Sequence, residues 1–152
     1  MNFSNFKSKK GFSLVELLIV ITIIGILSTI VLNSLSTSRA RAYDSKVKQH
    51  LSSFRTAAEI YANNQEPNGY GPASASCSSG IFNDVSQANG NPAIYIAEGN
   101  LPTGTQVVCS SSDNAYAIKA TLYSGNEYWC VDNRGSSRQI LGPIGAPVTI
   151  CP

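Results

Sequence analysis

A single histidine, His50, in 152 residues leaves a Ser–His–Asp or Cys–His nucleophilic site little to be built from. His50 falls in a stretch of helical periodicity and reads as an ordinary helix residue. There is no Walker-type or dinucleotide-binding glycine motif. Asp113 and Asp132, with neighbouring Asn and backbone oxygens, are the candidates for a hard cation such as calcium. EF-hand spacing is absent, and capping of turns is the expected role for both. Tyr123, Tyr128 and Trp129 suit sheet packing better than a nucleic-acid stacking platform. We expect no catalysis, no metal and no cofactor.

The cysteines carry more information. Cys77, Cys109, Cys130 and Cys151 form an even set in the second half of the chain, which in an oxidising compartment reads as two disulfides. Zinc is the alternative, but close Cys-x-x-Cys pairs are lacking and His50 is far away in sequence. Three connectivities are possible, and the residues by themselves leave all three open.

The remaining chemical group is a carboxylate in an unusual place. Lys7, Lys9 and Lys10 run into Gly11-Phe12-Ser13-Leu14-Val15-Glu16, and from Phe12 to Leu32 nothing but Glu16 is charged. An acidic side chain at bilayer depth costs about 2.5–3.5 kcal/mol at a helix centre and less near an end. A secretory signal peptide has a shorter apolar run and ends at a small-residue cleavage site, for which Val31-Leu32-Asn33-Ser34-Leu35 is a poor match. A plain single-pass anchor explains about 20 apolar residues and the lysines, but not Glu16. The order of basic flank, glycine, phenylalanine and glutamate resembles the prepilin signature of type IV pilins and of the pseudopilins of type II secretion.

That resemblance is specific over about residues 9–32, extends to the helix that follows, and is architectural beyond it. It implies a leader, residues 1–11, removed by a membrane prepilin peptidase between Gly11 and Phe12, with N-methylation of Phe12. It implies a membrane and assembly helix over 12–33, with Glu16 as the assembly residue, and a globular domain over 34–152. The implied function is a structural subunit polymerising through its N-terminal helix into a pilus or pseudopilus. The implied partners are copies of itself, other pilins, the peptidase, the assembly platform and cytoplasmic-membrane lipid before assembly. The leader would lie in the cytoplasm and the C-terminal domain outside, as the lysines before the span suggest. The expected pairing is Cys77–Cys109 with Cys130–Cys151, the second stapling the extreme C-terminus to a strand as in many pilins. Many pilins carry a proline near the outer end of the membrane segment, where this chain has Asn33 and Ser34. Gly25 matches a helix-weakening glycine of the family. The alternatives are a minor or tip subunit that binds a surface or DNA, and a membrane-tethered binding module that never polymerises.

These groups need elements to hold them. Beyond the apolar run, Tyr43, Val47, Leu51, Phe54, Ala58 and Tyr61 recur in steps of three and four, one face of an amphipathic helix ending near residue 63. Arg41, Asp44, Lys48, Arg55 and Glu59 lie on the other face, with Asp44 and Lys48 spaced as an i,i+4 pair. No proline interrupts 12–63. Asn63–Gly69 is rich in turn-formers, and the Gly/Ser/Asn/Pro-rich stretch to Gly104 reads as a long connection, with a short strand at Ala93–Ala97 and Cys77 available to pin it. Strands follow at Gln106–Cys109, Ala115–Tyr123, Glu127–Asp132 and Arg138–Leu141, with a hairpin turn at Ser124-Gly125-Asn126. The expected fold is α+β, a long N-terminal helix packed on a small antiparallel sheet. Charged residues are only 13% of the chain. Taking the three leader lysines from the formal net charge of +2 leaves about −1, which gives no basic face for nucleic acid.

Overall fold

The computed structural model describes residues 11–145 and 147–152. Lys7, Lys9, Lys10 and the rest of the expected leader before Gly11 lie outside the described residues. Two compact units are present, one ending at Ser38 and the other beginning at Arg39. The helix α1, Leu14–Asn63, contributes to both.

In the first unit every described side chain from Phe12 to Leu32 is exposed, including Phe12, Ile19 and Ile30. Several of its hydroxyl groups bond back onto the helix. Thr22 and Ser28 donate to the carbonyls of Leu18 and Ile24 at 2.7 Å each, and Thr29 to that of Ile26 at 2.8 Å. Such back-bonding hides polar groups from apolar surroundings. By length and composition this is a helix able to cross a membrane.

The second unit has a core. Val47, Leu51, Phe54 and Ala58 on α1 are fully buried, as the three-and-four spacing requires. They pack against a four-stranded antiparallel sheet of β1 (Val107–Ser112), β2 (Ala115–Thr121), β3 (Glu127–Asp132) and β4 (Ser137–Leu141), in that spatial order. Tyr116, Ile118, Ala120 and Leu122 share the core with α1. Phe54 stacks on Phe82 at 5.5 Å and meets Tyr116 edge-on at 5.7 Å. The fold is α+β, as expected from the sequence.

The connection between α1 and β1 is fastened at several points. Ser74 and Ser111 exchange backbone hydrogen bonds of 2.9 and 2.8 Å, and Cys77 is bonded to Cys109 of β1. The short 3-10 helix Gly80–Asn83 buries Ile81 and Phe82. Tyr70 donates to the Glu59 carboxylate at 3.1 Å. Burial, then the charge of Glu59, raises its hydroxyl to about 12. Gly69 lies where a Cβ would meet the Asp113 carbonyl oxygen at 2.6 Å.

Three expectations are corrected. Ala93–Ala97 is not a strand. Pro92–Tyr95 forms a 3-10 helix instead, entered through Asn91 at φ 46°, with Pro92 supplying a fixed φ and no donor for a ladder. Asp44 and Lys48 take other partners. The Asp44 carboxylate accepts the Tyr123 N–H at 2.8 Å, while Lys48 lies 4.8 Å from the Trp129 ring centroid. Tyr123 is not packed in the sheet but is 58% exposed.

Candidate functional site

The start of α1 is built by its own sequence. Ser13 precedes the helix, its carbonyl accepting the Leu17 N–H at 3.3 Å and its hydroxyl the Val15 N–H at 3.3 Å. Glu16, three residues on, reaches back so that its Oε2 accepts the Ser13 N–H at 2.9 Å. This is a capping box, satisfying free N–H groups of the first turn with one hydroxyl and one carboxylate. The positive end of the helix dipole favours a negative charge there. The other carboxylate oxygen, Oε1, has no hydrogen-bond partner among the described residues and is free for a further donor. Gly11 and Phe12 come immediately before this turn, Gly11 with open space where a Cβ would lie and Phe12 80% exposed. Gly11, Phe12 and Glu16 therefore share one short stretch ahead of an uncharged apolar surface. Ser13 is the residue that sequence reasoning missed. Its signal was available, as Ser-x-x-Glu before an apolar run marks a helix start.

The cysteines lie in the other unit. Cys77 and Cys109 have Cα atoms 5.1 Å apart, and Cys130 and Cys151 5.8 Å apart. Around Cys151 a second fastening is built from side chains. Asp132, fully buried at the end of β3, accepts the Arg134 and Ser136 N–H groups through Oδ1 and the Cys151 N–H through Oδ2 at 3.0 Å. Burial alone would raise its pKa, but the N–H groups of Cys151, Ser136 and Arg134 outweigh it and hold the carboxyl below its ordinary value. Arg138 of β4 donates to the Cys151 carbonyl at 2.8 Å. The C-terminal stretch so held covers the sheet face opposite α1, packing Cys151 and Ile144 with Ala117, Tyr128, Cys130 and Ile140. Lys119 is 3% exposed beneath it, donates to the Gly145 carbonyl at 3.5 Å and has its pKa lowered by burial. Asp132 was expected to cap a turn, which it does. Its hold on Cys151 had no signal in the sequence, because the two are 19 residues apart.

His50 faces the loop, its Nδ1 3.1 Å from the Tyr95 carbonyl oxygen, and so donates the tautomeric proton there. Asp113 offers its backbone carbonyl to the Tyr70 N–H at 3.0 Å. Among the described residues, neither joins a cluster of groups suited to nucleophilic or acid–base work.

A family model described as the prokaryotic N-terminal methylation motif matches residues 6–32. The type IV wide pilus major component PilA4 of Thermus thermophilus is 31% identical over 124 residues, covering 81% of this chain and 80% of that protein. The chain belongs to the type IV pilin family. No solved structure matches this pilin. The matched motif spans Gly11, Phe12 and Glu16, and the match to PilA4 reaches well past α1 into the disulfide-held unit, since 124 residues exceed the length of the helix. Membership marks the pilin as a structural protein that works in filaments with other pilins, anchored in a membrane through its apolar helix.

Proposed function

We propose that this pilin is a filament subunit, made as a prepilin, that polymerises through its N-terminal helix into a type IV pilus or pseudopilus. Residues 1–11 are the leader, 12–33 the membrane and assembly segment, and 34–152 the domain displayed outside the cytoplasmic membrane. Prepilin peptidase cuts between Gly11 and Phe12, and the new amine on Phe12 is methylated. The likeness to a major pilus component supports the reading of a bulk subunit rather than a rare tip.

The observation that carries this reading is the first unit itself. Its apolar surface is exposed along the whole span, and the one carboxylate in it has an oxygen without a partner among the described residues. Lipid can cover the apolar side chains, but not the charge. Cleavage adds a second charge, the Phe12 amine, that is equally costly to bury. Opposite charges leaving water together lose far less than either alone. Glu16 of one subunit facing the Phe12 amine of a neighbour satisfies both and fixes the axial register, because a subunit out of step leaves both charges unpaired. Within one chain the two groups are also close, about one helical turn apart, so the capping box and an intramolecular pair compete with the neighbour.

The test is Glu16→Gln, which keeps a capping oxygen and removes the charge. The variant should be made, inserted and cut, with a mature mass beginning at Phe12, yet yield few or no filaments when cells are sheared and imaged. Normal filament yield would refute the assembly role and restore the tethered module. A mature mass that retains Met1 to Gly11 would refute the prepilin assignment itself.

A further inference from the structure

The antiparallel register brings the C-terminal ends of β2 and β4 and the start of β3 to one edge of the second unit, with Leu141 opposite Glu127 and Tyr128 opposite Thr121. The first turns of α1 in this unit meet the same edge. Tyr43 packs edge-on against Tyr123 with ring centroids 5.7 Å apart, and Asp44 holds the Tyr123 N–H. The Tyr43 hydroxyl lies 2.7 Å from Thr105 Oγ1. Two large side chains on this rim face water, Tyr123 at 58% and Leu141 at 79% exposure. Arg39 and Arg41, just before Tyr43, are exposed cations, and Lys46 adds a third. The acidic groups nearby are engaged, Asp44 with Tyr123 and Glu127 with the Gln139 amide at 2.8 Å.

We propose that this rim is a lipid-headgroup contact surface: in the unassembled subunit Arg39 and Arg41 bind the phosphates of anionic lipids, and Tyr43, Tyr123 and Leu141 seat in the interfacial layer. The inference rests on the membrane reading of residues 12–33. Chain length supplies the argument for this occupant. From Leu14 to Leu35 the chain is predominantly apolar with Glu16 its one charge, and about 20 such residues span the hydrocarbon. Arg39 and Arg41 follow Leu35 by four and six residues, so even an extended chain keeps them within about 14 and 22 Å of it. The first cations after the span therefore reach the headgroup layer, and tyrosines with arginines are the side chains that partition there. Chain connectivity thus keeps the first cations of the rim within reach of the headgroups, and their charge is complementary to an anionic surface.

The test uses the full chain reconstituted in vesicles of phosphatidylcholine with brominated acyl chains, with or without phosphatidylglycerol. Single tryptophans are placed in a Trp129→Phe background by Leu27→Trp, Tyr123→Trp, Leu141→Trp or Ser137→Trp, the last at the opposite end of the sheet. Tryptophans at 123 and 141 should lose emission to the bromolipid, more so with phosphatidylglycerol, while that at 137 does not. Arg39→Gln and Arg41→Gln should each lower the docked population about fivefold in phosphatidylglycerol vesicles. Quenching at 27, with emission at 123 and 141 as unaffected as at 137, would overturn the rim assignment. No quenching at 27 would overturn the membrane reading and this proposal with it. The unsubstituted chain provides a second measurement that needs no new side chain. Amide exchange across residues 122–127 should slow when phosphatidylglycerol is added. Slowing seen only in filaments would assign the rim to a neighbouring subunit and overturn the proposal.

Discussion

Replacing Asp132 by Asn isolates the value of the clasp around Cys151. The carboxylate is fully buried and accepts three backbone N–H groups, two on Oδ1 and one on Oδ2. An asparagine keeps one oxygen, which serves either Arg134 and Ser136 or Cys151, but not all three. In the first orientation its NH2 group faces the Cys151 N–H, donor against donor. A hydrogen bond to a charged group is worth about 1.5–3 kcal/mol, and a buried donor left unsatisfied costs about 1–3 kcal/mol. Together these place the loss at about 3 kcal/mol. Urea unfolding of the full chain in detergent, followed by Trp129 emission, should show a midpoint lower by roughly 2 M at ordinary m-values. The pH dependence gives a second reading. The folded pKa of Asp132 is depressed, so its stabilisation is fully present above the unfolded value of about 3.9 and is lost as pH falls through the lower folded value. The difference between wild type and Asp132→Asn should therefore shrink toward low pH. A stability change under about 0.5 kcal/mol at neutral pH, typical of a surface change, would refute the clasp, and so would a difference that does not change with acid.

Two further substitutions test the fastening of the second unit. Cys130→Ser opens a loop closed across 21 residues and should lower unfolding stability by about 3 kcal/mol from loop entropy; calorimetry of the variant in detergent checks it. Gly69→Ala places a Cβ 2.6 Å from the Asp113 carbonyl oxygen, a backbone atom that cannot swing aside. The Tyr70 to Asp113 hydrogen bond should open, at a cost of roughly 1–3 kcal/mol, visible as faster amide exchange at Tyr70.

The helix and its buried stripe were legible because one period governs both α1 and the positions of Val47, Leu51, Phe54 and Ala58. The strand positions were legible to within a few residues from alternation and from the turn at Ser124-Gly125-Asn126. The connection from residue 64 to 104 was not, because its shape is set by partners distant in sequence, namely Phe54 stacking on Phe82, Ser111 bridging Ser74 and Ala57 close under Gly90. The apolar character of Ala93–Ala97 resembled a strand, but Pro92 and the left-handed Asn91 turn it into a 3-10 helix. The burial of Lys119 had no local signal either. Alternation puts Lys119 on the face opposite Tyr116 and Ile118, and only the C-terminal stretch held by Cys151 and Asp132 puts that face out of water. At the helix start Glu16 was legible as an anomaly of charge, and its bond to Ser13 as a capping pattern, but its second oxygen shows itself only in the geometry.

The loop between α1 and the sheet is pinned at Cys77, Ile81, Phe82 and Pro92, but between those points the stretch Val85–Ala88 is exposed. The identity of that exposed stretch is therefore nearly uncoupled from the stability of the unit, while Ile81, Phe82 and Cys77 on either side of the core stay fixed. Doubling the length of such a tethered span costs only about 0.6 kcal/mol in closure entropy, so related subunits can diverge in this segment, in both length and composition, while the sheet and helix stay the same. In a filament that repeats the domain many times, one such segment becomes a regularly spaced surface lattice. A single permissive loop would then let a lineage change what its fibre presents without rebuilding the fibre.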